Sequence, residues 1–224
     1  MRTSIITFAT VFLLAANTSW AHEKGSLLVR AGLANVDPDA SSSALVLDGT
    51  AIGSSSADVD DNTQLSLTVA YMLTDNLAVE VLASTPFEHD ISADTGALGL
   101  GTIDAGSTQH LPPTVSLLYY PLDNSSDFQP YVGAGINYTI FFQEDVSADL
   151  EGVLGGGSLE LDASFGLSAQ IGFDYALNDK MFLNGSLWWI DIDTDAEFNF
   201  AANQLTTDVE IDPLVYQLTL GWRF

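Results

Sequence analysis

The chain has 224 residues, with 30 Asp or Glu against 5 Lys or Arg and a formal net charge of -25, yet 47% of it is hydrophobic and 10% aromatic. So few cations cannot displace the counterions of a phosphate backbone, which excludes nucleic acid as a principal partner. The absence of Cys excludes disulfides, thiolate metal sites and Cys nucleophiles together. A disordered acidic chain could not carry so many apolar residues, so these must be segregated in ordered elements.

In residues 1–21, Arg2 precedes an apolar stretch from Ile5 to Ala16, and Ser19-Trp20-Ala21 has the small-x-small form of a cleavage site. The reading is a signal peptide cut after Ala21, leaving 22–224 as one domain. The apolar stretch is too short for a membrane anchor, and no later stretch has 18 consecutive apolar residues.

From Leu27 onward the chain alternates with a period of two, the signature of a strand with one apolar face. Eight such segments are predicted. The first four are Leu27-Val29-Ala31-Leu33, Leu65-Leu67-Val69-Tyr71-Leu73, Leu77-Val79-Val81-Ala83 and Leu111-Pro113-Val115-Leu117-Tyr119. The others are Val132-Ala134-Ile136-Tyr138-Ile140-Phe142, Leu167-Ala169-Ile171-Phe173-Tyr175, Leu183-Gly185-Leu187-Trp189 and Leu214-Tyr216-Leu218-Leu220-Trp222-Phe224. The connections 74–76, 121–127 and 176–180 are short, whereas 37–62, 86–109, 143–162 and 194–208 are long and acidic. Short turns at one end and long loops at the other predict an eight-stranded antiparallel transmembrane β-barrel. A soluble barrel would reverse the faces and need many more charges outside. Instead the polar face is small, with Ser66, Thr68, Ser116, Gly133, Gly135 and Gly172, while the apolar face ends in Tyr and Trp like a membrane-interface girdle.

A charged side chain marks its own face as luminal at mid-membrane depth. Glu80 therefore turns Leu82 inward, and Asn184 and Ser186 carry Trp188, Ile190 and Ile192 with them. Met72, Leu118, Tyr120, Tyr131 and Phe141 follow by the same parity. These residues line a channel on one reading and merely fill a small barrel on the other. Arg30, Glu80, Asp174 and Arg223 also have luminal parity, and form either one salt-bridged cluster or separate groups solvated near the rim. His22, His89 and His110 accompany no nucleophile motif, so no enzyme and no cofactor is expected. Asp191-Ile192-Asp193-Thr194-Asp195 resembles the opening of a calcium loop, but Ala196 stands where Gly is needed and no Glu closes the loop, so no metal site is assigned.

Residues 62–87 (NTQLSLTVAYMLTDNLAVEVLASTPF), HLPPTVSLLYY at 110–120, QPYVGAGINYTIFF at 129–142, WWIDIDT at 188–194 and the terminal LGWRF resemble the OmpW family of outer-membrane proteins. The resemblance runs the length of the chain. It implies a narrow apolar channel for passive uptake of small hydrophobic molecules, with Leu82 and Trp188 at the positions that constrict it and Met72, Leu118, Tyr120, Phe141 and Ile190 lining it. The alternative reading is a closed structural or receptor barrel with acidic extracellular loops. The expected surroundings are outer-membrane lipid, lipopolysaccharide and, through the terminal Trp222 and Phe224, the barrel-assembly machinery. Of the 30 acids, 23 fall in the long connections or at their borders, placing that end outside the cell.

Overall fold

The computed structural model describes residues 22–123 and 126–224, so the segment read as a signal peptide lies outside the described residues. Eight strands form the wall. They are β1 (Leu27–Asp37), β2 (Asn62–Met72), β3 (Leu77–Ser84), β4 (Thr114–Tyr119), β5 (Phe128–Val146), β6 (Ser164–Ala176), β7 (Met181–Ile190) and β8 (Leu214–Arg223). Each pairs antiparallel with its neighbour in sequence across β1–β2, β2–β3, β3–β4, β4–β5, β5–β6, β6–β7 and β7–β8. β1 closes the ring on β8, with Leu28 opposite Arg223 and Asp37 opposite Leu214. Closure leaves the membrane-spanning wall without a free edge, as a structure immersed in hydrocarbon requires.

Side-chain alternation follows the polarity of the surroundings. Leu33, Leu65, Leu67, Val81, Val115, Leu117, Val132, Ile136, Leu167, Ile171 and Leu218 stand exposed on the outer face, forming an apolar belt suited to lipid tails. Tyr71, Tyr119 and Tyr175 ring its turn end, and Tyr138, Trp189 and Tyr216 its opposite end. Inside, the space is narrow. A Cβ on Gly133 would run into the Leu118 and Gln170 side chains, and one on Gly172 into the Tyr131 ring.

The long connections are not loops. Phe87–Asp94 pairs with Thr102–Leu111, and Asp193–Phe200 with Gln204–Glu210, so the wall continues well beyond the membrane belt. There the faces invert. Leu45, Ala57, Ala93, Ala105, Leu159, Ala196, Phe198, Leu205 and Val209 pack inward as one core, while Asp58, Glu88, Asp90, Asp104, Asp195 and Asp208 face water. Between β3 and β4 the ladder runs from Leu77 opposite Tyr119 to Leu82 opposite Thr114, then resumes only at Phe87 opposite His110. That interruption holds Pro86, Pro112 and Pro113, which have no N–H to donate.

A sealed lumen beneath an apolar chamber

The lower lumen is organised by Arg30, which is fully buried. Its Nε donates to Asp174 Oδ1 at 3.1 Å and its Nη2 to Asp174 Oδ2 at 2.8 Å, a bidentate pair from β1 across the lumen to β6. Nη1 donates to Glu80 on β3, and Nη2 also reaches the Tyr120 hydroxyl at 2.7 Å. Asp174 accepts further from Asn184 Nδ2 at 2.8 Å and lies 3.1 Å from the His22 ring, while Glu80 accepts from Gln170 at 3.0 Å. Two carboxylates thus share one guanidinium, with amide and phenol groups satisfying the remaining lone pairs. Such a network can be buried where isolated charges could not.

Apolar clusters lie on both sides of this knot. Towards the turns, Leu28, Ala70, Met72, Ala78, Leu118, Tyr120, Tyr131 and Phe182 pack together. Towards the long hairpins, Ala34, Val36, Leu82, Phe87, Trp188, Ile190, Ile192 and Val215 form a second cluster, with Phe141 against it. Leu82 and Trp188 are 5% and 1% exposed. The Trp188 indole donates to Ser186 Oγ at 3.0 Å, and Ser186 continues through Gln217 to Ser66, a polar belt between the upper cluster and the ions.

Two expectations need correction. Arg223 does not join Arg30, Glu80 and Asp174: it lies at the end of β8, where its Nη2 donates to the Asp179 carbonyl at 2.8 Å in the β6–β7 turn. Its parity is luminal, but parity carries no information about height along the axis. Met72, Leu118 and Tyr120 do not line open space beside Leu82 either. They are fully buried in the lower cluster, on the far side of the ion network, because an eight-stranded interior is just wide enough for side chains to fill. Phe141 and Ile190 do lie with Leu82 and Trp188.

Above Leu82 and Trp188 is a cavity of about 40 Å³ enclosed by the long hairpins and lined by Leu45, Ala105, Phe141, Phe198, Leu205 and Ile211, among others. His89 and His110 also line it. In the sequence the two stand as isolated histidines, yet their rings stack at 4.9 Å with 16° between planes, against Phe87. Their pairing depends on Phe87–Asp94 and Thr102–Leu111 being strands, and the recurrence Phe87-His89-Ile91 is the one local signal of it. Burial holds His110 well below the usual range, at about 3, and His89 is lowered for the same reason against the pull of Asp60. At the rim, Asp191, Asp193 and Asp212 bring three carboxylate oxygens within 4.8 Å of one another, a grouping without Asp195.

A closed eight-stranded wall with an apolar exterior, aromatic girdles and extended acidic strands at one end defines an outer-membrane β-barrel. The chain belongs to the OmpW family, whose pattern it matches over residues 23–224. It is 45% identical to outer membrane protein W of Vibrio cholerae over 225 residues, covering 100% of both chains. Its structure resembles the crystal structure of OprG from Pseudomonas aeruginosa with a TM-score of 0.86 and 40% identity, over 92% of this chain and 99% of that one. A more distant relative, the dibenzothiophene metabolism operon protein PahQ of Pseudomonas aeruginosa, is 30% identical over 96% of this chain and 95% of its own. The protein resides in the bacterial outer membrane. The Vibrio cholerae relative is named as an outer-membrane protein, not as an enzyme.

Proposed function

We propose that the barrel is a passive conduit by which small hydrophobic molecules cross the lipopolysaccharide leaflet. The observation that carries this reading is the change of character along the axis. An apolar chamber opens above Leu82 and Trp188, whereas the lumen beneath is closed by Arg30, Glu80 and Asp174 and packed below them. An apolar solute gains nothing by entering the ion network, which it would have to dissolve. Its favourable path is sideways, from the constriction into the bilayer, and the interrupted β3–β4 ladder at Pro86, Pro112 and Pro113 offers a weak seam at that height. The name of the dibenzothiophene-operon relative agrees with a role in handling apolar aromatics.

A second reading, a closed structural or receptor barrel, draws support from the tight packing of Leu82 against the Trp188 cluster. Proteoliposomes carrying lipopolysaccharide in the outer leaflet separate the two. The conduit requires uptake of a hydrophobic tracer faster than in protein-free vesicles, and equal rates would sink it.

A further inference from the structure

The chamber is almost wholly apolar, and its few polar side chains are informative. Thr194 donates its hydroxyl to the Asp162 carbonyl at 2.8 Å and Thr207 to that of Ser43 at 3.0 Å, so both protons are committed to the main chain. His89 differs. Its Nδ1 lies 2.6 Å from the Asp60 carbonyl oxygen, and because a carbonyl can only accept, Nδ1 must carry the proton. Burial lowers the basicity of the ring even beside Asp60, Asp61 and Asp90, which keeps it neutral. Nε2 is then a bare lone pair. It is buried, in a residue only 2% exposed, and has no hydrogen-bond partner among the described residues, which is also true of His110 Nε2 in the same lining. A buried acceptor left unmade in a dry cavity calls for an explanation.

We infer that the extracellular chamber takes a compact apolar molecule bearing one hydrogen-bond donor, a phenol or an alcohol, with its hydroxyl held on His89 Nε2. The inference deepens the conduit reading and rests on it, since the chamber is the first station that a solute meets. The cavity of about 40 Å³ is smaller than the roughly 150 Å³ that a benzene-sized ligand takes in a protein interior, so the apolar body must spread Phe141, Phe198 and Leu205 apart, while the near-parallel rings of Phe87 and His110 hold the imidazole in place. A solute with acceptors only would face the Nε2 lone pair with another lone pair. One without polar atoms would leave Nε2 unmade. The chamber therefore ranks apolar solutes by their donors rather than by size alone.

Phenol and toluene test this, because they differ by a hydroxyl against a methyl on one ring. In nanodiscs with ¹⁵N-histidine, phenol should shift the His89 Nε2 resonance to saturation and toluene should not. His89→Phe keeps an aromatic ring in the stack, and it should lower the phenol-over-toluene affinity ratio about tenfold, or about 1.4 kcal/mol. An unmoved wild-type Nε2 at high phenol overturns the inference without any variant, as does an unchanged ratio in His89→Phe that retains its heat-modifiable folded band. Toluene flux into lipopolysaccharide vesicles is measured in parallel. Flux above protein-free vesicles with Nε2 unmoved overturns the hydroxyl station alone. Flux at the protein-free level with Nε2 shifted supports hydroxyl binding and overturns the conduit.

Discussion

Arg30→Met isolates what the ion network contributes. The substitution keeps an unbranched apolar stem about as long as the path to Nε and removes all four donations: two to Asp174, at 3.1 and 2.8 Å, one to Glu80 and one to the Tyr120 hydroxyl. Both carboxylates stay at most 1% exposed. Removing one side of a buried ion pair costs about 3–5 kcal/mol, because the remaining charge keeps its desolvation penalty and loses its partner. The two acids should not suffer equally. Asp174 keeps Asn184 at 2.8 Å, the Tyr120 hydroxyl at 3.3 Å and the His22 ring at 3.1 Å, whereas Glu80 keeps Gln170 at 3.0 Å. In the Arg30→Met background, Glu80→Gln should therefore recover more stability than Asp174→Asn, and both together should recover most of it. Glu80→Gln alone should be mild, since it leaves one guanidinium facing one carboxylate. Urea unfolding in phosphatidylcholine vesicles, followed by Trp fluorescence and heat-modifiable mobility, measures all five variants. A loss below about 1 kcal/mol for Arg30→Met, or no recovery in the triple variant, would refute the reasoning.

Leu82→Ala should cost about 2–5 kcal/mol through lost packing in the Trp188 cluster, yet speed tracer uptake; a folded variant with slower uptake contradicts the constriction. In lipids with brominated chains, Trp189→Phe should remove far more fluorescence quenching than Trp188→Phe, since the former indole is 40% exposed and the latter 1%; the reverse order would mean the faces are exchanged. His110, held at about 3 when folded against about 6.5 when unfolded, gives stability that is full above pH 6.5 and lost as pH falls towards 3. Imidazole ¹⁵N spectra at pH 5 should still show a neutral His110 ring, His110→Phe should flatten the acid limb of stability, and an imidazolium pattern at pH 5 would contradict the burial argument. Deleting Phe224, whose backbone exchanges two 2.9 Å hydrogen bonds with Leu27 where the barrel closes, should lower the membrane-inserted, heat-modifiable fraction; an unchanged fraction removes its role in assembly.

The sequence by itself determined the number of wall strands, their antiparallel order and which side chains face lipid. The period of two is a local property, and a low-dielectric exterior forces every charge in the membrane segment to the opposite face. Leu82 and Trp188 could be placed inward for that reason alone, through Glu80 and Asn184. The strands of the long hairpins escape such a reading because their polarity is reversed: in Asp193–Phe200 the acids alternate outward to water and Thr194, Ala196 and Phe198 inward, so a pattern tuned to apolar-out strands sees only acidic loops. Height along the axis is equally invisible, since parity fixes a face and not a level. Only pairing register could separate Arg223 from Arg30, which sits opposite Gly221, and set Met72, Leu118 and Tyr120 below the ions while Phe141 and Ile190 lie above. The His89–His110 stack has the same origin. The two residues lie 21 positions apart, and contact between them exists only because one hairpin brings His89 opposite Thr108 and Phe87 opposite His110, a long-range register that no local pattern encodes.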